Sequence, residues 1–145
     1  MNIDVSILKK LPKTDLHVHL DGSLRLPTLI ELADKAAVEL PGNTPEALKE
    51  TVFKPTYSNL VEYLQGFQYT VAAMQTEESL DRVAYELALD NLEEGVRYIE
   101  VRFAPQLHIN SKLGIEDVLK AVNNGLSRAK TEYNARPDVA DGTEP

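Results

Sequence analysis

The chain has 145 residues, of which 43% are hydrophobic and 26% are charged, a composition typical of a folded, water-soluble domain. It contains no Cys, which excludes disulfides and thiolate metal sites, and its formal net charge of −8 disfavours a nucleic-acid polymer as a partner. The first residues contain no signal-like apolar run and no later stretch is long enough to span a membrane, so we expect a cytoplasmic protein.

The hydrophobic pattern predicts strands and helices that alternate along the chain. Residues 14–20, TDLHVHL, alternate polar and apolar side chains, which indicates a strand with two different faces. Apolar residues at helical spacing and start signals such as Pro27, Thr44 and Thr76 predict several helices between this strand and the next. The predicted elements are helices at 27–38, after Thr44, at about 58–74 and from 76 to about 95, a second strand at 96–104, a helix at about 115–132, and a polar tail.

This order of elements predicts an α/β fold. Strands separated by helices form a parallel sheet whose faces the helices cover. Two strands alone do not make a stable sheet, and a closed eight-stranded barrel needs more than about 200 residues. We therefore expect residues 1–145 to be the first part of one larger domain.

The first strand carries the residues most suggestive of chemistry. Residues two apart in a strand point to the same face, and two imidazoles about 6–7 Å apart along a strand can converge on one metal ion. The alternative is a pair of hydrogen-bonded core histidines. A metal site is favoured because a loop follows the strand at once, where a barrel carries its active site. The residues expected on the polar face are Asp15, His17, His19 and Asp21, opposite Leu16, Val18 and Leu20.

The second strand also has one polar face. Tyr98, Glu100 and Arg102 are expected on it, with Ile99, Val101 and Phe103 on the other face. If the apolar face meets the helices, Glu100 and Arg102 point inward beside the histidines. Buried charges must be paired or bind a ligand, and for Arg102 we favour an internal ion pair.

Two segments resemble a known family. LPKTDLHVHLDGSL (residues 11–24) is similar to the opening motif of the adenosine deaminase branch of the metal-dependent amidohydrolase superfamily, and GVRYIEVRFAPQ (residues 95–106) resembles its second-strand motif. The helices between them have the matching order and spacing. The resemblance implies a (β/α)8 TIM barrel with extra helices between its first two strands. It also implies one bound Zn2+ ion and the hydrolytic deamination of adenosine to inosine and ammonia.

The resemblance also implies roles for individual residues. His17 and His19 correspond to the first two zinc ligands, and His19 also lies beside the substrate. Asp21 corresponds to the residue that contacts the ribose. The positions that correspond to an apolar gate over the purine, each of which also fits an ordinary helix core, are Leu60, Tyr63, Leu64 and Phe67.

The chain departs from the family pattern in the loop after the second strand. Gln106 stands where related sequences often carry His, and we assign no role to His108, which we expect in a loop. The resemblance places a third His ligand, an Asp ligand, a catalytic Glu and a catalytic His after residue 145. The C-terminal remainder of the barrel is therefore the expected partner, and residues 1–145 alone are expected to be inactive.

Other functions remain open at this point. The chain could belong to an amidohydrolase with a different substrate, to an adenine or nucleotide deaminase, or to a deaminase-derived binding protein that has lost catalysis. Asp21 favours a nucleoside, because a ribose hydroxyl needs a hydrogen-bond acceptor and a free base does not.

Overall fold

The protein is represented by a computed structural model that describes residues 4–142. Two strands and seven helices are present in that range, together with single 3-10 turns at Leu20–Gly22 and Pro105–Leu107. None of these helices is both long and apolar enough to cross a membrane. In chain order the elements are α1 (Val5–Lys10), β1 (Lys13–His19), α2 (Leu26–Lys35), α3 (Pro45–Thr51), α4 (Leu60–Ala73), α5 (Glu77–Glu93), β2 (Val96–Arg102), α6 (Ile115–Asn134) and α7 (Pro137–Ala140).

The two strands pair in parallel, as the order of elements predicts. Helices α2 to α5 form the connection between them. The pairing is irregular between Asp15 and Val18 of β1, which face Ile99 and Val101 of β2. Asp15 and Val18 are three positions apart on β1, whereas their partners are two positions apart on β2. Strand β1 therefore contains one extra residue, a β-bulge, just before its carboxyl end.

Side-chain caps fix the helix starts that the sequence predicts. The Thr44 hydroxyl accepts from the Ala47 amide at 3.2 Å, and the Thr76 hydroxyl accepts from the Ser79 amide at 3.1 Å. Such caps satisfy amides that have no partner within the helix. Gly95 follows the end of α5 with a φ of 84°, a left-handed conformation that favours glycine. The chain can therefore turn from α5 directly into β2.

The hydrophobic core lies between the helices and one face of the sheet. Leu20 at the end of β1, Met74 after α4 and Leu80 in α5 are fully buried within it. Val18 and Val101 pack against the core from the two strands. The other face of this two-stranded sheet stays open, as the exposed Tyr98 shows.

Helices α5 and α6 approach closely at Gly125. A Cβ atom at this position would lie 2.1 Å from the backbone oxygen of Asp81 and 2.9 Å from the backbone nitrogen of Tyr85. The contact is flanked by buried alanines, Ala84 on α5 and Ala129 on α6. Small side chains therefore set the distance between these two helices.

Two short helices were not expected from the sequence. Helix α1 begins after Asp4, whose carboxylate accepts from the Ser6 amide at 2.9 Å, in a segment for which no element was predicted. Helix α7, Pro137–Ala140, lies in the tail predicted to be a polar loop. A proline at its first turn and an acidic residue beside it favour one helical turn. Residues 143–145 of that predicted tail lie outside the described residues.

Candidate metal and substrate site

His17 and His19 meet at the carboxyl end of β1. Their Nε2 atoms are 3.1 Å apart and their ring centroids 5.1 Å apart, although both side chains are exposed. Two nitrogens bound to one tetrahedral zinc ion, each about 2.0–2.1 Å from it, stand roughly 3.3 Å apart. The 3.1 Å separation is that of a hydrogen bond between the two exposed rings, and it is also close to the spacing of two nitrogens that share one zinc ion.

The bulge in β1 changes the alternation that the sequence predicts. The Asp15 carboxylate accepts from the His17 amide at 3.2 Å, a local hydrogen bond that replaces a link to the neighbouring strand. Leu16, predicted to be on the apolar face, is 57% exposed. The prediction of a strict two-residue period is therefore wrong at Leu16, whereas His17 and His19 lie together as predicted.

Asp21 is buried beside His19. One carboxylate oxygen, Oδ2, accepts from the Ala104 amide at 3.4 Å, and the other, Oδ1, lies 3.5 Å from His19 Nδ1. Oδ1 is buried and has no hydrogen-bond partner within residues 4–142. A carboxylate next to one ring nitrogen favours the tautomer in which the other nitrogen, here Nε2, is free to bind a metal. Oδ1 thus has one long contact, with His19 Nδ1, and can accept a further hydrogen bond.

The four positions that correspond to a gate lie in the first eight residues of α4. Leu60 is 67% exposed, and Tyr63 and Leu64 are 45% and 48% exposed. An ordinary core position would be buried, so these three do not form core within the described part of the chain. The Tyr63 ring contacts Phe67 edge-to-face at a centroid distance of 5.8 Å. Helix α4 therefore presents an apolar and aromatic surface to solvent.

Gly22 brings that surface to the histidines. A Cβ atom on Gly22 would lie 3.1 Å from Cζ of Phe67 and 4.0 Å from Cβ of His19. The Phe67 ring thus packs directly on the turn that follows β1. A Cβ atom at position 22 would require the Phe67 ring to shift by a few tenths of an ångström.

The charged residues of β2 do not form the predicted ion pair. Tyr98, Glu100 and Arg102 are all exposed, and no carboxylate within the described range forms an ion pair with Arg102. The Tyr98 hydroxyl donates to Glu100 at 3.1 Å, and this hydrogen bond raises the pKa of Tyr98. The internal ion pair favoured for Arg102 is therefore absent here, because the sheet face that carries it is open.

His108 is fully buried, whereas the sequence suggested a loop residue with no role. Its Nδ1 lies 2.8 Å from the Met74 carbonyl oxygen, and its ring contacts Phe103 at a centroid distance of 5.9 Å. The residue is in a loop, as expected, but the loop folds over the end of α4. No local pattern reveals this burial, because Met74 is 34 residues away.

No third side chain joins the two Nε2 atoms to form a possible metal cluster among residues 4–142, because Asp21 lies beside Nδ1 of His19. The structure brings His17, His19 and Asp21 together, and it places Phe67 next to them through Gly22. Sequence reasoning missed the contributions of Gly22 and of the Ala104 amide. Gly22 follows Asp21 directly, which was the available signal, whereas the approach of Ala104 depends on strand register.

Comparison with known proteins places the chain in a family. The sequence profile of the adenosine deaminase family matches residues 12–137. The adenosine deaminase of Vibrio vulnificus is 44% identical over 125 residues, which cover 86% of this chain and 38% of that protein. The adenosine deaminase of Clostridium botulinum is 41% identical over 135 residues, covering 92% of this chain and 40% of that protein.

Solved structures show the same fold. The adenine deaminase of Arthrobacter aurescens superposes with a TM-score of 0.71 at 25% identity, over 83% of this chain and 36% of that one. The N6-methyl-AMP deaminase of Arabidopsis thaliana gives a TM-score of 0.65 at 29% identity, over 86% and 35%. A zinc-bound amidohydrolase from Burkholderia ambifaria gives 0.76 at 22% identity, over 92% and 37%, and this likeness supports the fold only.

The chain spans about two fifths of the length of the bacterial relatives named above. The match extends over both strands and the helices between them, including the end of β1 with the two histidines. This chain is a member of the adenosine deaminase family.

Proposed function

We propose that this chain is the N-terminal part of a zinc-dependent deaminase that hydrolyses adenosine to inosine and ammonia. The observation that carries the proposal is the 3.1 Å approach of His17 Nε2 to His19 Nε2 at the end of β1, in a chain of this family. The proposed protein is a single (β/α)8 barrel domain, in which residues 1–145 supply the first two strands and the C-terminal remainder the others.

The two histidines would hold the zinc ion as neutral imidazoles through Nε2. When bound, a zinc ion supplies Lewis acidity that lowers the pKa of water toward neutrality. The protein's own contribution is to fix the two nitrogens before the metal arrives. The bulge in β1 and the Asp21 carboxylate beside His19 Nδ1 support this arrangement.

Asp21 would also accept a hydrogen bond from a ribose hydroxyl. Its Oδ1 is buried and, apart from the 3.5 Å approach of His19 Nδ1, receives no hydrogen bond within residues 4–142, so it can accept one from a ligand. A free base offers no hydroxyl there. This unsatisfied oxygen is the reason to favour a nucleoside over adenine.

The exposed face of α4 would form the apolar wall over the purine. Phe67 packs on Gly22 beside the histidines, and Leu60, Tyr63 and Leu64 extend the surface outward. A purine ring is flat and largely apolar on its faces, so aromatic and aliphatic side chains exclude water from it.

The remaining parts of the proposal concern the rest of the protein. A third His and an Asp would complete the zinc site, and a Glu and a further His would transfer protons, all from beyond residue 145. We place the reaction in cytoplasmic purine metabolism, with no nucleic-acid polymer or membrane as a partner.

The test is adenosine turnover and zinc content in the purified full-length protein. We expect about one zinc per protein, and we expect His17→Ala and His19→Ala each to remove most zinc and activity together. Lys112→Ala, an exposed loop change outside the site, serves as the matched control and should leave both unchanged. A double His17→Ala, His19→Ala variant that keeps full zinc occupancy would contradict the metal assignment.

A second candidate is deamination of adenine or of a purine nucleotide. The similarity to the adenine deaminase of Arthrobacter aurescens and to the N6-methyl-AMP deaminase of Arabidopsis thaliana favours keeping it. Parallel assays with adenine, adenosine and AMP distinguish the candidates. Adenine or AMP turned over faster than adenosine would replace the nucleoside proposal.

A further inference from the structure

His108 joins the loop after β2 to the end of α4. Its Nδ1 lies 2.8 Å from the Met74 carbonyl oxygen, and the side chain is fully buried. Met74 has left the helical conformation, with φ −102° and ψ 56°, and no backbone amide in the described range donates to its carbonyl. His108 therefore satisfies a carbonyl that the helix leaves without a partner.

The contact fixes the tautomer of His108. A carbonyl oxygen only accepts hydrogen bonds, so Nδ1 must carry the proton, and in the neutral ring Nε2 is then a bare acceptor. Nε2 is buried and has no partner among residues 4–142. Within residues 4–142, the hydrogen bond of this ring is therefore the one with the Met74 carbonyl.

Two further hydrogen bonds reinforce the same junction. Gln75 donates from Nε2 to the Leu107 carbonyl at 3.1 Å, and Asn110 donates from Nδ2 to the Gln75 carbonyl at 3.1 Å. Gln75 also donates to the Val71 carbonyl, within α4, at 2.8 Å. The loop at 107–110 thus holds the last turn of α4, and His108 is its only fully buried member.

The same helix carries the apolar surface at the site. Phe67, two turns before the anchored end, packs on Gly22 beside His19. Nearer its start, α4 is held by the Lys54–Glu62 ion pair at 2.7 Å and by the close packing of Gly66 against Phe53. The position of the Phe67 ring over the site therefore depends on both ends of α4, and the loop with His108 holds the far one.

We propose that His108 is a positioning residue that, by donating Nδ1–H to the Met74 carbonyl, holds α4 and its Phe67 surface against the substrate site. The functional part of this inference rests on the proposed adenosine deaminase activity. The structural part, the anchoring of α4 by His108, does not depend on that activity.

The experiment compares two replacements of His108 in the full-length protein. His108→Asn keeps an N–H group near the position of Nδ1, and His108→Leu keeps an apolar side chain without a donor. Ser111→Ala, an exposed change in the same loop, is the matched control. Amide hydrogen exchange of α4 is measured by mass spectrometry, and KM and kcat for adenosine are measured separately.

We expect His108→Leu to speed exchange in α4 about fivefold, the factor that corresponds to loss of a hydrogen bond of about 1 kcal/mol. KM should rise by a similar factor while kcat stays within about twofold. His108→Asn should restore both values, and Ser111→Ala should match the wild type. Nitrogen-15 NMR of the wild type should show a protonated Nδ1 and a bare Nε2.

Four results would overturn the proposal, and three of them concern the His108 contact itself. They are unchanged α4 exchange in His108→Leu, identical behaviour of the Asn and Leu variants, and an NMR spectrum with the proton on Nε2. A uniform rise in exchange over the whole protein, with KM unchanged, would show a general packing role instead and also counts against it. If the wild type does not deaminate adenosine, the proposed function fails, while the exchange and NMR measurements still decide the anchor.

Discussion

Replacing Asp21 tests how the site combines metal and substrate binding. The Asp21 side chain is only 7% exposed, with Oδ1 3.5 Å from His19 Nδ1 and Oδ2 3.4 Å from the Ala104 amide. Asp21→Ala removes both contacts and leaves the His19 ring free to turn. Asp21→Asn keeps the shape and one acceptor oxygen but removes the negative charge.

The structure predicts two separate losses for Asp21→Ala. A carboxylate that orients a metal-binding histidine is worth roughly 10- to 100-fold in metal affinity, so zinc affinity should fall by about that factor. Loss of the ribose acceptor should cost a further 1–3 kcal/mol or so, about 5- to 150-fold in kcat/KM for adenosine. Asp21→Asn should lose most of the contribution to zinc affinity and less of the contribution to kcat/KM for adenosine.

The two losses are measured in separate assays. Zinc affinity is obtained without nucleoside, by competition with a chelator. The value of kcat/KM is then measured at saturating zinc for adenosine and for adenine. Because adenine has no ribose, its turnover at saturating zinc should change much less in Asp21→Ala.

Two outcomes would refute this reasoning about Asp21. Wild-type zinc affinity in both variants would show that the carboxylate does not orient His19. Equal losses for adenosine and adenine at saturating zinc would show that it does not contact the ribose.

Two further predictions concern the scaffold. Gly125→Ala should lower the free energy of unfolding by about 1–3 kcal/mol, because the added Cβ would meet the Asp81 carbonyl. This clash outweighs the gain of roughly 1 kcal/mol in helix propensity. Urea unfolding measures the loss beside the exposed control Asn124→Ala, and equal midpoints for the two variants would contradict the prediction. Glu62 has its pKa lowered from 4.5 to about 2, chiefly by a hydrogen bond from Lys54, so its contribution to stability is present above pH 4.5 and is lost as the pH falls toward 2. The urea midpoint of the wild type should therefore be higher than that of Glu62→Gln at pH 6, and the difference should disappear near pH 2. A constant difference across this pH range would argue against a stabilising Lys54–Glu62 ion pair.

The parallel strands and the histidine pair were predictable from local pattern. Alternation in TDLHVHL indicates a strand, and two-residue spacing places His17 and His19 on one face. Helix starts at Thr44 and Thr76 follow from their capping hydroxyls. These features depend on residues within a few positions of each other, where sequence rules apply best.

The bulge in β1 was not predictable from the same pattern. It depends on the Asp15 carboxylate folding back to the His17 amide, a local hydrogen bond that competes with strand pairing. Two-residue alternation assumes a regular strand, so it placed Leu16 on the apolar face. Helix α1 was missed because its six residues are too few to show helical periodicity.

The burial of His108 and the environment of Arg102 depend on residues far away in sequence. His108 is buried because its loop packs on the end of α4, and Asp21 reaches Ala104 across 83 positions. Arg102 is exposed because nothing within residues 4–142 covers that face of the sheet. Periodicity reports which face a side chain occupies and leaves open what will pack against it.

Anomalous diffraction at the zinc absorption edge, from crystals of the full-length protein, tests the central claim that His17 and His19 together bind the catalytic metal. We predict one strong peak within about 2.0–2.1 Å of Nε2 of both residues. A zinc peak bound elsewhere, or one that contacts neither or only one of the two histidines, would contradict the account.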